Sequence, residues 1–375
     1  MATHFSFSFS GDDIEEDKHK APAQGYVVAN PEPSSTAGPA SAFPVQGKPL
    51  LPPVHHDLDQ MLSRLPSKIA YGMMDVDLDG KGTIRLPRRE LWDVRVQLMA
   101  EEGGEGGEGG DSEHEPGLGQ HDVKTGIYEG GFKSWESSVD LVKTLASEGF
   151  SDFPGLGPCR LIELGCGTAL PSLALLQWAS ATRVSGEKTP LMLTLADYNP
   201  SVLYLVTLPN LLLAWALQSR AGTPLLEEAL SSDGELELTG EVVEAFKIFL
   251  VSNQISLSFL SGGWSAEFVE LLYEPEHTPS LPEDLQTLVI GAETIYSPFA
   301  LASFSDTLLS LLRRERQDRP NGQAIAIVAA KRLYFGVGGS LDDFVDKMRG
   351  LGATVATLRE ETEGVRRGVV RCVLS

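Results

Sequence analysis

The stretch LIELGCGTAL, residues 161–170, decides the fold. It begins as an apolar run holding one acid, Glu163, and breaks at Gly165-Cys166-Gly167 before a helical pattern. Consecutive apolar positions describe a strand covered on both faces, as in parallel sheets. Glycines at the break supply unusual dihedral angles and let a ligand come close to the backbone. Where a doubly wound sheet begins, that turn is the natural seat of a nucleotide-like cofactor. A purely structural turn is the competing reading. A dinucleotide fingerprint wants a third glycine three residues after the second; Leu170 stands there and argues against NAD.

Outward from this stretch, strand and helix patterns alternate. Strands are expected at 159–164, 191–196, 255–260, 285–290, 323–330, 353–358 and 369–374. Helices are expected at about 137–148, 170–179, 200–216, 297–314 and 341–351. This is an α/β pattern: a mostly parallel, doubly wound sheet of seven strands with helices on both faces. The last two strands, joined by the charged turn 359–367, suggest a hairpin and hence one antiparallel strand near the sheet edge. Residues 220–250 form a partly helical insertion. Upstream, a short strand or turn near Thr83 precedes a helix over about 88–102.

Two segments read differently. Residues 1–67 are expected to be a disordered tail, with acids at Asp12, Asp13, Glu15, Glu16 and Asp17 and then Pro, Ala and Ser. Phe5, Phe7 and Phe9 fit either a short docking strand or a frayed terminus. Residues 68–121 carry the run EEGGEGGEGGDSEHEPG at 101–117, a flexible acidic loop. It reads as a solvated insertion or as an attractor for a basic substrate. Residues 122–375 hold the sheet.

Composition bounds the function. The chain has 375 residues, 30 Lys plus Arg and 52 Asp plus Glu, for a net charge of −22. That balance disfavours sequence-blind nucleic-acid binding, which is driven by Lys and Arg at phosphates, and suits a basic protein partner. Cys159, Cys166 and Cys372 make neither a disulfide framework nor a zinc motif. His55-His56 reads as a solvated pair rather than a metal site, so no metal is expected. No run looks long enough to span a membrane, and the first residues lack a signal pattern. A reduced, soluble, intracellular protein is expected, in the cytoplasm or nucleus or both.

Three further places carry chemistry. Asp197, in LADYN (195–199), lies where an acid accepts both ribose hydroxyls of an adenosine, and Asn199 suits the N-cap before Pro200. The run IGAETIYSP (290–298) puts Glu293 and Tyr296 at a strand's carboxyl edge; a helix start capped by Ser297 is the alternative. In GGFKSWESS (130–138), Trp135 and Glu136 suit a cofactor lid, or a surface Trp packed on the core.

Together these features resemble a Rossmann-like, seven-strand S-adenosylmethionine-dependent methyltransferase. GIYEGGFKSWE (126–136), DYN (197–199) with TLPN (207–210), SGGW (261–264), ETIY (293–296) and KRLYFGVGG (331–339) resemble the protein-histidine methyltransferase family. RRELWDVRVQL (88–98) resembles its pre-catalytic segment. The resemblance implies S-adenosylmethionine as cofactor, bound by Ser134, Trp135, Glu136, Ser137 and Ser138 and by Gly165, Cys166 and Gly167. It adds Asp197, Tyr198 and Asn199; Ser261, Gly262, Gly263 and Trp264; and Ala292, Glu293 and Thr294. Glu163 replaces the family's usual Asp, and would bind a backbone amide or the cofactor's amine. Glu293 and Tyr296 are the catalytic candidates. The implied substrate is one histidine of large-subunit ribosomal protein three, a basic partner, for an enzyme acting as a monomer. A lysine methyltransferase of the related family and a non-catalytic cofactor-binding adaptor are the alternatives.

Overall fold

A computed structural model describes residues 44, 47, 49–103, 130–151, 157–182, 188–274, 282–336 and 338–374. In chain order the elements begin with β1 (Val54–His56), α1 (Leu58–Ser63), β2 (Lys68–Asp77), β3 (Thr83–Arg89), α2 (Leu91–Gly103) and α3 (Glu136–Ser147). There follow β4 (Cys159–Leu164), α4 (Leu170–Thr182), β5 (Leu191–Asp197), α5 (Pro200–Val202), a π-helical turn at Leu203–Thr207 and α6 (Leu208–Ser219). Next come α7 (Pro224–Ala229), β6 (Glu235–Glu237), α8 (Gly240–Ser252), β7 (Ile255–Ser261), α9 (Ala266–Leu272) and β8 (Gln286–Ala292). The chain closes with α10 (Pro298–Asp318), β9 (Gln323–Lys331), α11 (Leu341–Gly350), β10 (Ala353–Glu361) and β11 (Arg367–Leu374).

Among the described residues the main sheet has eight strands, in the order β1-β7-β5-β4-β8-β9-β11-β10. β4 pairs in parallel with β5 on one side and β8 on the other, so the winding reverses beside it. Every residue of β4 and β5 is buried, which explains their unbroken apolar runs. Neighbours along a strand serve opposite layers: Leu161 joins one core and Ile162 the other, as do Leu288 and Val289, and Val369 and Val370. That alternation is the pleat of a sheet packed on both faces.

The hairpin at the end is present: β11 is antiparallel to both β9 and β10. A second antiparallel strand corrects the expected single one, because β1 pairs with β7 at the other edge. The tail therefore does not run unstructured to residue 67. His56 Nε2 meets Ser261 Oγ at 2.8 Å and His55 Nε2 meets Ser258 Oγ at 3.3 Å, so these histidines belong to a strand contact rather than a solvated pair. The phenylalanines near the start, and the acidic run beyond residue 103, lie outside the described residues.

The insertion after α6 has a structural task. Its β6 completes a small antiparallel sheet, β3-β2-β6. The segment Pro200–Ser219 is long and apolar enough to cross a membrane, against the sequence expectation, but 89% of its apolar window is buried inside the fold. It is a core helix. At the amino ends of the strands, Glu315 accepts hydrogen bonds from Arg160 (3.1 Å), Tyr273 (2.6 Å), Thr287 (2.8 Å) and Arg319 Nε (2.9 Å). A buried carboxylate needs such saturation.

Candidate active site

The carboxyl ends of β4, β5 and β8 open into one cavity of about 230 Å³. The glycine turn forms its floor. Gly165 and Gly167 have φ of 66° and 51°, the left-handed region that side chains resist. A Cβ on Gly165 would lie 2.8 Å from Thr294 Cγ2, and one on Gly167 3.1 Å from Gly131 O. The turn is also held from behind. Thr207 Oγ1 donates to Gly167 O at 2.6 Å, and Asn210 Nδ2 to Thr168 O at 3.0 Å. The π-helical turn widens the helix where Thr207 makes this contact; such turns recur at functional sites.

Asp197 ends β5 and is 7% exposed. Its Oδ2 accepts from Gly167 N at 3.0 Å and its Oδ1 from Asn199 N at 3.1 Å. A third backbone donor is Tyr198 N–H, and the carboxylate keeps acceptor capacity for a diol. Burial pushes its pKa up to about 6, although the backbone donors pull the other way. Asn199 caps α5 through Ser201 N, as the Asn-Pro pair suggested, and does not line the cavity.

Glu163 is buried and accepts from Ser172 N at 3.3 Å and from the Ser172 hydroxyl. The backbone-amide alternative for this residue is thus the observed one, at the amino end of α4. Burial pushes its pKa up to about 8. Cys166 lines the cavity too, with burial holding its thiol well above the ordinary value.

Glu293 follows β8 with φ of 58°. An L-residue in this region is strained and is retained where its surroundings hold it. Glu293 N donates to Ala329 O at 3.0 Å, and its carboxylate accepts from the Ser137 hydroxyl and from Tyr334. Tyr296 also lines the cavity; burial, followed by Asp197, pushes its phenol up to about 12. Ser297 caps α10 by accepting from Ala300 N at 3.1 Å, so the helix-start reading of this cluster holds alongside the functional one.

The cavity gathers thirteen expected residues: Trp135, Ser138, Glu163, Gly165, Cys166, Gly167, Asp197, Tyr198, Trp264, Ala292, Glu293, Thr294 and Tyr296. Others stand behind it. Ser137 reaches Glu293, and Ser134 Oγ lies 2.9 Å from Thr168 Oγ1. Glu136 turns outward to Arg367 at 3.1 Å, so it is no lid residue. Ser261, Gly262 and Gly263 do not line the cavity either. They face the strap that leads into β1: a Cβ on Gly262 would lie 2.3 Å from Pro52 O, and one on Gly263 2.7 Å from Leu50 Cβ. Leu51 N donates to Tyr198 OH at 3.1 Å, and Gly263 N to Leu51 O at 2.8 Å.

Lys331, Tyr334, Lys133, Thr168, Gly131 and Pro44 line the cavity without having been expected there. Lys331 and Tyr334 stood in the KRLYFGVGG run that resembles the family, but no local pattern shows which of its side chains turn inward. Among the described residues, the buried polar atoms without a hydrogen-bond partner include Trp264 Nε1 and Thr294 Oγ1. Both belong to cavity residues, and a buried donor in a ligand cavity is satisfied by the ligand. The glycine cradle, the Asp197 carboxylate and these two atoms fit an adenosine-bearing cofactor.

Three relatives are informative. Histidine protein methyltransferase 1 of Saccharomyces cerevisiae is 33% identical over 358 residues, spanning 91% of this chain and 89% of its own. That of Schizosaccharomyces pombe is 31% identical over 316 residues, 84% and 83% of the two chains. The homolog of Rattus norvegicus is 30% identical over 250 residues, 66% and 57%. No family model matches the chain. Fold and site define a methyltransferase that uses S-adenosylmethionine. The chain belongs to the histidine protein methyltransferase 1 family.

Proposed function

We propose that this protein methylates one imidazole nitrogen of a histidine in a basic protein, and that the acceptor is large-subunit ribosomal protein three. The observation that carries the reading is Glu293. Its carboxylate sits at the cavity, anchored by Ser137 and Tyr334, beside the glycine cradle. The net charge of −22 suits a basic acceptor, and the family resemblance points to the ribosomal protein.

Bound S-adenosylmethionine supplies a methyl on a good leaving group, so the chain's contribution is position and exclusion of water. Asp197 holds the ribose, the Gly165–Gly167 backbone admits the cofactor closely, and Trp264 and Thr294 receive its polar atoms. A histidine with a pKa near 6.5 is largely neutral at pH 7, so no strong base is needed. The task is the tautomer. Glu293 accepts the N–H of the far imidazole nitrogen, aims the other lone pair at the methyl and stabilises the imidazolium that forms. Tyr296 orients the ring through its hydroxyl.

Incubation with labelled S-adenosylmethionine and ribosomal extract, followed by mass spectrometry, tests the reading. Label on one histidine of the ribosomal protein is the expected result. Label on lysine would replace the acceptor and keep the fold. No label with the cofactor still bound would make the protein an adaptor.

A further inference from the structure

Lys331 ends β9 and lines the cavity. Its ammonium lies 5.1 Å from the Trp135 ring centroid and 5.6 Å from that of Tyr334. Aromatic faces in this geometry attract cations, and paired rings are a common seat for the ammonium of a bound lysine or methyl-lysine. Here the seat is taken by the chain's own lysine.

We infer that Lys331 determines acceptor specificity: its cation, within reach of the Trp135 and Tyr334 rings, excludes a lysine ammonium and admits a neutral imidazole. The inference rests on the histidine reading above. Two effects act together. The filled rings cannot hold a second cation, and a like charge disfavours the protonated acceptor. An imidazole escapes that penalty near pH 7 because it is already largely neutral, whereas an ammonium with a pKa near 10.4 does not.

Among the other charged and titratable groups at the cavity, Glu293 faces the acceptor and favours its cation, so the charge effect of Lys331 shows as a difference between Lys331 variants. Asp197 is engaged by three backbone amides, Glu163 by Ser172, and Glu293 by Ser137 and Tyr334. Tyr198 and Tyr296 are phenols that burial keeps protonated. Lys133, ahead of α3, adds a second positive group to the same rim. Among the described residues, the contacts of the Lys331 ammonium are the two rings rather than a carboxylate.

The test compares the full-length protein with its Lys331→Met and Lys331→Arg variants. The substrates are two synthetic peptides, identical except for His or Lys at the position the wild-type enzyme modifies. Lys331→Met should raise the Lys-to-His ratio of kcat/KM by about tenfold or more, and move the acid limb of kcat on the His peptide up by about one pH unit. Lys331→Arg, which keeps the charge, should resemble the wild type. An unchanged ratio in Lys331→Met, or an arginine variant that behaves like the methionine one, overturns the inference. A second measurement isolates the charge. The NMR titration of a 13C-imidazole peptide bound with S-adenosylhomocysteine should give a lower pKa on the wild type than on Lys331→Met, and an equal or higher value also overturns the inference. Failure of the wild type to modify any histidine would instead sink the underlying reading.

Discussion

The Ser137 hydroxyl donates to the Glu293 carboxylate across 156 positions of chain, joining the start of α3 to the end of β8. Since Glu293 also sits in the left-handed region, Ser137 is one of the contacts that keep its carboxylate aimed at the cavity. Glu293→Gln should lower kcat far more than cofactor affinity. Ser137→Ala should lower kcat by a smaller factor, about tenfold, as expected for a lost hydrogen bond to a charged group. Single-turnover kinetics with calorimetry of cofactor binding would check both. Equal losses of turnover and affinity in Glu293→Gln would make that residue a binding group only.

Asp197 sets a pH dependence on cofactor binding. Its pKa of about 6 means that the carboxylate, which accepts the ribose hydroxyls, is protonated as pH falls through 6. S-adenosylmethionine should therefore bind about tenfold more weakly at pH 5 than on the plateau above pH 7, because one proton competes with the ligand. Asp197→Asn should bind weakly at every pH and lose the slope. Calorimetric titration between pH 5 and 8 measures this, and a flat wild-type profile would remove Asp197 from the ribose.

Glu163 acts on stability in the opposite direction. Its folded pKa, about 8, lies above the ordinary 4.5, so the folded state binds the extra proton between those values. Stability from this group is present at low pH and is lost as pH rises through 8. Glu163→Gln keeps an acceptor for Ser172 without the titration. The wild type should lose Tm relative to Glu163→Gln between pH 6 and pH 9, read by thermal melts in matched buffers.

The strap before β1 should be sensitive to a single methyl group. In Gly262→Ala the new Cβ meets the backbone of Pro52 and Pro53, and Gly262 has φ of 110°. Relief requires moving the strap, which breaks the Leu51–Tyr198 contact. Faster proteolysis ahead of α1 and weaker cofactor binding are expected, with the sheet's circular dichroism retained. A variant with unchanged protease resistance would show that the strap has no such hold.

Glu315→Gln tests the opposite end of the sheet. It leaves Arg160 and Arg319 without a buried counter-charge and should cost about 3–5 kcal/mol in denaturant melts. Cofactor affinity of the folded fraction should be unchanged, since Arg160 lies near the start of the strand whose far end carries the glycine turn.

Residues 159–164 and 191–196 were legible as buried parallel strands because burial on both faces writes itself into consecutive residues. The acids at strand ends were legible for a related reason: a polar residue closing such a run must face the sheet's carboxyl edge. Asn199 and Ser297 declared their helix starts through the prolines after them. β1 escaped notice because three residues in a Pro-rich context carry no periodicity; its strand exists only because the β7 edge offers hydrogen bonds.

The amino-acid sequence by itself determined the class of sheet, the glycine turn and the acids at its edge, since these depend on neighbours two to four positions apart. Only the tertiary structure decided which distant side chains complete the site. It turned Glu136 to Arg367, spent Gly262 and Gly263 on the strap, and brought Lys331 and Tyr334 beside Trp135. Those outcomes follow from strand order and register, which bring β9 within reach of α3 across nearly two hundred residues, and no local pattern encodes that distance.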